Sequence, residues 1–552
     1  MVKHIFVLLC CLWPAHVVAD VEIVVNQQGY LPSGEKCAYL ISAEEKSVKL
    51  LSFHNDQVVQ EVNVGAAKTL PDGRIVRPLI FGTVVAGGWY YLQSGDVESV
   101  PFQINESVYD GLNNRLVRAL YLQRSGTVVS DDATGMQRPE SHMQDGIVYR
   151  TDMLHAKGDF IDVAGGWYDA GDFGKYVATT TVTVARLLEA HLQSSQGAVA
   201  NDGVAEKSIF LNEAEYALDW LLKMQREDGA VYRKVSGAQW PAKIPPWQDR
   251  QQRYIYGVST PETAKFAATM AFAARVYKPY DINQYRIYLK AALHAWNYLE
   301  TQSVQYIDWQ SGDDSGSGPY IKNKEDMEVS LETDTDDRLW ALSELYITTG
   351  NQRYLKLYES LYTPSLIAIF EWKNPMLMGL WHLIQAEDTE LTRRLTEDLN
   401  VVAERYVQQA ASSPFSVANQ RFIWGSNKMT AEAGILVAWS DIANGKRQYQ
   451  RVVQSQLDYL LGANAFNMSF VTNSGVYSVN NLHHLYRIAS GVSLPGFLVG
   501  GPNEKAQAGV APKDLGMLSY VDSEKSYAVN EFAIDYNASL IGLLAVNHAY
   551  FN

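Results

Sequence analysis

The chain has 552 residues, 47% of them hydrophobic and 19% charged, a composition that fills a large core and excludes a disordered chain. A formal net charge of −15, without any Lys/Arg-rich tract, argues against nucleic acid or an anionic membrane surface as partner. The 33 Tyr, 13 Trp and 17 Phe pack cores, and they also supply the flat rings on which pyranose C–H faces lie.

Residues 1–19 read as a secretory signal. Lys3 and His4 open it, the apolar run Ile5–Trp13 is too short to span a bilayer, and Val17-Val18-Ala19 offers a small-residue cleavage site. A secreted or periplasmic location is expected. Cys10 and Cys11 leave with the signal, so Cys37 alone provides neither an intrachain disulfide nor a cysteine-based zinc cluster. No other run reaches membrane-spanning length.

Residues 21–105 alternate in the manner of strands. The pattern predicts strands at 21–25, 37–41, 48–53, 58–64, 74–81, 89–92 and 99–104, separated by turn signals such as Pro71-Asp72-Gly73 and Ala86-Gly87-Gly88. About seven short strands over this span point to an immunoglobulin-like sandwich, and its direct run into residues 109–121 favours a structural buttress over a separate binding module.

From about residue 110 the apolar period becomes helical. The spacing predicts helices at 111–123, 176–193, 211–225, 261–276, 283–300, 336–349, 352–362, 364–370, 389–409, 429–444, 449–461 and 531–548. A toroid of helical hairpins and a bundle fit these equally well. Between them lie long stretches, 126–168, 228–259, 302–335, 411–428 and 465–529, too aromatic for disorder and read as the walls of a cleft. Trp240, Trp247 and Trp309 fall there.

Two constellations carry chemistry. Gly165-Gly166-Trp167-Tyr168-Asp169-Ala170-Gly171-Asp172 places two carboxylates three residues apart among glycines, which by itself describes a capped helix start. Far downstream, Asn530-Glu531-Phe532-Ala533-Ile534-Asp535-Tyr536-Asn537-Ala538 puts a glutamate at the head of an apolar helix. Together the two resemble glycoside hydrolase family 9, the inverting cellulases and their relatives. Ordered fragments extend the resemblance over nearly the whole chain: Val25-Asn26-Gln27-Gln28-Gly29-Tyr30-Leu31-Pro32, Gln123-Arg124-Ser125-Gly126, Ser259-Thr260-Pro261-Glu262-Thr263, Trp424-Gly425-Ser426-Asn427 and Pro495-Gly496-Phe497.

The resemblance implies an immunoglobulin-like β-sandwich at 20–106 followed by an all-α (α/α)6 barrel at 107–552. It implies Glu531 as general acid, Asp172 as general base and Asp169 as a second holder of the attacking water, with a β-linked oligo- or polysaccharide as substrate. An inverting glycosidase needs such an acid and base on opposite faces of the sugar ring. Substrate contacts are expected from His483, Arg487, Tyr536, Trp424 and Tyr168. Two of these mark departures: the family's His-His-Arg becomes His483-His484-Leu485-Tyr486-Arg487, and its Trp-His becomes Trp167-Tyr168.

No cofactor is required. Asp308, Asp313 and Asp314, or Asp334, Asp336 and Asp337, could supply oxygen ligands for a structural calcium, although acidic, Gly-rich loops are more often simply solvated. The leading expectation is hydrolysis of β-1,4-glucan. Two alternatives stand beside it: an exo-β-glucosaminidase acting on chitosan oligomers, favoured by the altered His-His-Arg, and a non-catalytic carbohydrate-binding protein.

Overall fold

A computed structural model describes residues 21–194, 207–304 and 333–551. The signal segment, Trp309 and the first calcium candidates (Asp308, Asp313 and Asp314) lie outside the described residues.

The N-terminal part is antiparallel β. Its strands are β1 (Glu22–Val24), β2 (Cys37–Ile41), β3 (Val48–Ser52), β4 (Val58–Val64), β5 (Lys68–Thr69), β6 (Ile75–Ile80), β7 (Gly88–Ser94), β8 (Val97–Glu98) and β9 (Phe102–Ile104). They run in the order β1-β2-β6-β4-β3-β7-β8, with β5 on β6 and β9 on β7. β4 pairs with β3 over most of its length and passes its last residues, Asn63 and Val64, to β6, which joins the two faces of the sandwich. Between the faces Tyr30 meets Phe81 and Phe102 edge-on, ring centroids 5.4 and 5.3 Å apart. The strand expected at 99–104 starts only at Phe102. Pro101 has no N–H to give the ladder.

The rest is a double ring of helices. The inner ring is α2 (Val177–Ser194), α4 (Thr260–Tyr277), α6 (Thr335–Thr349), α8 (Met376–Ala386), α10 (Ser426–Ala443) and α14 (Ile534–Phe551), and it closes where α14 packs on α2. Around it lie α1 (Asp110–Leu122), α3 (Ile209–Lys223), α5 (Ile282–Glu300), α7 (Gln352–Leu361), α9 (Glu390–Ser412) and α11 (Gln450–Leu460). Sequence separates the two layers. Every residue of α4 except Arg275 is buried, whereas α9 buries one stripe through Leu391, Leu395, Leu399 and Val402. Charges inside the ring are paired between neighbours: Lys265–Asp337 at 2.5 Å, His382 between Glu344 at 2.7 Å and Glu189 at 3.0 Å, and Lys428–Asp535 at 3.0 Å. Breaking such a buried pair costs more than the pair gains, so these contacts hold helix register above all.

Two expectations need correction here. The helix expected at 364–370 is only the turn Pro364–Leu366, and α8, apolar on nearly every side, follows it. Of the second calcium candidates, Asp334 is paired with Arg338 at 2.9 Å and Asp337 with Lys265, while the buried Asp336 carboxylate has no hydrogen-bond partner among the described residues. Among the described residues no group of His, Cys, Asp and Glu is arranged to hold a metal ion, and no helix is long and apolar enough to cross a membrane.

The connections set the position of the site. From inner to outer helix they are short (278–281, 350–351, 387–389 and 444–449), which makes the pairs antiparallel. From outer to inner they are long (123–176, 224–259, 413–425 and 461–533), so the long segments gather at the N-terminal ends of the inner helices. Two of them fold further. β12 (Ile147–Val148), β13 (Lys175–Tyr176), β14 (Tyr232–Gly237) and β15 (Arg253–Val258) form a sheet in the order β12-β15-β14-β13, beside the small hairpin of β10 (Val129–Asp131) and β11 (Met136–Arg138).

The β domain grips one of these segments. Gln27 N–H donates to the Leu461 carbonyl at 2.9 Å, its Oε1 accepts from Tyr477 N–H at 2.8 Å, and Asn26 Nδ2 donates to Asp458 at 2.9 Å. A Cβ on Gly462, whose φ is +129°, would come within 2.7 Å of the Gln27 side chain. The sandwich therefore buttresses the segment that leads to His483.

Candidate active site

Three backbone segments meet at the N-terminal ends of α2 and α14. In the first, Asp169 N–H bonds the Gly174 carbonyl at 2.8 Å and folds 169–174 into a tight loop ahead of α2. In the second, α12 (Leu485–Ser490) begins after His484, and Leu485 N–H donates to the Gly171 carbonyl at 2.8 Å. The third runs between α13 (Tyr527–Asn530) and α14. Glu531 lies there in extended backbone, bridged to His483, while Ala533 is bridged to Ala170 and Ile534 N–H reaches the Asp169 carbonyl at 2.8 Å. The expectation that Glu531 begins the last helix is thus corrected: the helix begins at Ile534, and sheet-like pairing, not a helical turn, holds the glutamate.

Gly171 sits at the crossing. Its N–H donates to Glu531 Oε1 at 3.2 Å, and a Cβ there would lie 2.7 Å from the His483 carbonyl and 2.9 Å from that same carboxylate oxygen. Asp172 is 6% exposed; Asp169 and Glu531 each keep part of their surface open.

Burial dominates the electrostatics. It pushes Asp172 up to about 6, against the opposing influence of Arg253 first and then the Gly174 N–H and Lys234. Burial, the Asp535 carboxylate and Asp172 raise Asp169 to about 8, although Thr179 donates its hydroxyl to Asp169 Oδ1. Glu531 is raised well above the ordinary glutamate range by burial and by Asp172. Burial and the neighbouring carboxylates thus favour the protonated forms of Glu531 and Asp169, while Asp172, opposed by Arg253, is raised less.

The expected sugar-contact residues divide. His483 Nδ1 meets the Glu524 carbonyl at 2.6 Å; a carbonyl only accepts, so this nitrogen carries the proton and Nε2 is left as acceptor. Trp424 packs against Tyr527, which in turn meets the His483 ring, at 5.5 and 6.1 Å between centroids. Tyr527 is 38% exposed and was not among the expected contacts, because one turn before Glu531 it reads as an ordinary helix residue. Tyr536 is buried behind Gly425 and Gly500, with Lys428 Nζ 5.9 Å from its ring centre. Trp240 is exposed, and Trp247 packs edge-on against Tyr486.

Two candidates are placed elsewhere. The Arg487 guanidinium is committed to Glu524 at 3.1 Å and to the Asn480 carbonyl at 2.6 Å, so it ties its own loop together. Tyr168 is 1% exposed and points away from the cleft, as alternation in an extended segment requires once its neighbour Asp169 points in. Its hydroxyl meets Ser141 Oγ at 2.8 Å and His142 Nδ1 at 2.5 Å, and His142 Nε2 faces Asp249 at 3.3 Å. Burial holds His142 down at about 4, so the ring is neutral and accepts from the phenol. Tyr168→Phe is therefore expected to cost about 1–3 kcal/mol of stability by orphaning His142 while KM stays unchanged, as thermal unfolding and steady-state kinetics on the same variant would report. Gln123 also went unrecognised as a site residue. Its Nε2 donates to the Ala170 carbonyl at 2.7 Å and its Oε1 faces His484 Nε2 at 3.0 Å, linking the first two segments.

The closed double ring, six inner and six outer helices among the described residues, is an (α/α)6 barrel, a fold that does not by itself define a chemistry. Comparison makes the class specific. A profile of glycosyl hydrolase family 9 matches residues 109–544, and one of the cellulase N-terminal Ig-like domain matches 19–99. The chain belongs to glycosyl hydrolase family 9. It is 28% identical to a xyloglucan-specific endo-beta-1,4-glucanase of Bacteroides ovatus, covering 97% of this chain and 95% of that protein. It is also 28% identical to endoglucanase D of Acetivibrio thermocellus, covering 95% and 83%. A crystal structure of a metagenome-derived glycoside hydrolase family 9 endoglucanase superposes with a TM-score of 0.87 at 35% identity, over 96% of this chain and 99% of that one.

Proposed function

We propose that this enzyme hydrolyses β-1,4-glucan with inversion of configuration. Glu531 gives its proton to the departing glycosidic oxygen as the C1–O bond breaks. A water attacks C1 from the opposite face, Asp172 takes the proton it sheds, and Asp169 holds that water in line. The observation that carries this reading is the meeting of the loop that bears Asp169 and Asp172 with the segment that bears Glu531, one acid poised to give and one base poised to take. Trp424, Tyr527 and Tyr536 would flank the sugar, and His483 Nε2 would accept from a hydroxyl. The names of the relatives, endoglucanases among them, support a β-1,4-glucan as substrate. Residues 1–19 would direct export, leaving a sandwich at 20–106 and a catalytic barrel at 107–552.

The test is the anomer released from cellohexaose, followed by NMR before mutarotation, with xyloglucan and chitosan oligosaccharides as parallel substrates. The α-anomer is expected, and a β-anomer would overturn the mechanism. The pH profile follows from the same assignments. Asp172 must be ionised, so kcat/KM falls as pH drops through about 6; Glu531 must be protonated, so activity falls again on the alkaline side. A profile still flat at pH 5 would contradict the role of Asp172.

A further inference from the structure

We propose that Arg253 is a positioning residue for the base: clamped between the Asp145 carboxylate and the Phe173 carbonyl, it holds a fixed cation against the turn that carries Asp172 and so favours the ionised form of that aspartate. This rests on the assignment of Asp172 as base.

The geometry is a buried cluster beneath the 165–175 loop. Arg253, the first residue of β15, places Nε 3.0 Å from Asp145 Oδ1 and donates from Nη2 to the Phe173 carbonyl at 2.6 Å. That carbonyl belongs to the residue next to Asp172. Asp145 also meets Lys175 Nζ at 2.8 Å, and Lys175 donates to the carbonyls of Val163 and Gly165 at 2.9 and 2.7 Å. One carboxylate thus carries two cations, one fixed to the stem of the loop and the other to its tip. Asp145 and Lys175 are fully buried and Arg253 nearly so.

Two cations against one anion leave a net positive charge in a medium that solvates it poorly. His142 does not alter that sum, since burial keeps it neutral; Asp249, beyond it, acts on Arg253 more weakly than Asp145 does and offsets part of the excess. Asp172 is where the excess charge is felt. Its own burial favours the protonated form, useless as a base at neutral pH, and Arg253 is the strongest influence in the other direction. Lys234 from β14 acts the same way more weakly. The neighbouring acids, Glu531 and Asp169, are both biased toward their neutral forms and oppose that influence little. The planar guanidinium suits the task, because it binds a carboxylate and a carbonyl at once without losing its charge.

The experiment compares pH profiles of kcat/KM on cellohexaose for the intact protein and for Arg253→Gln, Arg253→Lys and Asp145→Asn. Arg253→Gln is expected to move the acid limb upward by about 1–3 pH units, the usual effect of losing an adjacent opposite charge, with a smaller loss on the plateau above it. Arg253→Lys keeps the charge and keeps the limb near its wild-type position. Asp145→Asn unmasks Arg253, the cation bonded beside Asp172, and moves the limb downward, a sign that a merely structural role does not produce; the buried Lys175, already held down to about 8 with Asp145 beside it, gives up its proton more readily in that variant. An Arg253→Gln enzyme that loses the same factor at every pH, with the limb unmoved, overturns the inference. Should that variant not fold, a limb that stays in place or rises in Asp145→Asn overturns it equally. An Asp172→Asn enzyme of undiminished activity would instead remove the base assignment itself.

Discussion

Glu531→Gln is expected to cut turnover of cellohexaose by about 10²–10⁴-fold, the usual worth of a general acid, with the fold and the sugar affinity preserved. The amide oxygen still accepts from Gly171 N–H, the contact that fixes the side chain at 3.2 Å, so the cavity is unchanged and only the transferable proton is lost. The defect must then depend on the leaving group. A cello-oligosaccharide leaves as an alkoxide unless protonated, whereas dinitrophenol needs no proton, so dinitrophenyl β-cellobioside should be cleaved by Glu531→Gln at close to the wild-type rate. The alkaline limb should vanish as well, because the group that titrates there is gone. Equal losses on both substrates would show that Glu531 serves some other step.

What the sequence disclosed and what it hid divide along physical lines. The strands of the sandwich and the amphipathic outer helices were legible because one face of each meets water and leaves a period. α8 was hidden for the opposite reason: Met376-Leu377-Met378-Gly379-Leu380-Trp381 is buried on all sides and leaves no period to read. The β14–β15 hairpin was taken for loop because Arg233, Lys234 and Arg253 interrupt its apolar pattern, although all three side chains are buried. Buried ions look like surface ions in a sequence. The same blindness covers Lys175 and Asp145, and also Lys428 with Asp535 behind Asp169. Catalytic candidates were easier to find than their supports, since an acid among glycines announces itself and a partner some 80 residues away does not. Tyr168 and Arg487 were placed on the substrate by position alone. Alternation turned the first inward, and Glu524 drew the second away. Tyr168 also shows how a departure from the family pattern is absorbed: its hydroxyl is met by His142 and Ser141, so the change is taken up by buried partners beside the 169–174 loop.

Asp172→Asn should be as damaging as the loss of the acid, about 10²–10⁴-fold, but with a different signature. Water must lose its proton whichever group departs, so dinitrophenyl β-cellobioside should suffer along with cellohexaose. A second effect follows from charge. The Asp172 carboxylate helps keep Glu531 protonated, so its replacement by a neutral amide should move the alkaline limb of whatever activity remains to lower pH. Asp169→Asn makes the contrast. Asp169 is held up to about 8 by burial, Asp535 and Asp172, and it carries its proton through most of the working range. An amide there still offers hydrogen-bond donors and removes no working base, so the loss should be smaller than at Asp172, with the acid limb left near pH 6. Were Asp169→Asn instead the variant that abolishes turnover and shifts that limb, the two aspartates would exchange roles. Thr179, whose hydroxyl meets Asp169 Oδ1, would then be the group that keeps the true base ionised.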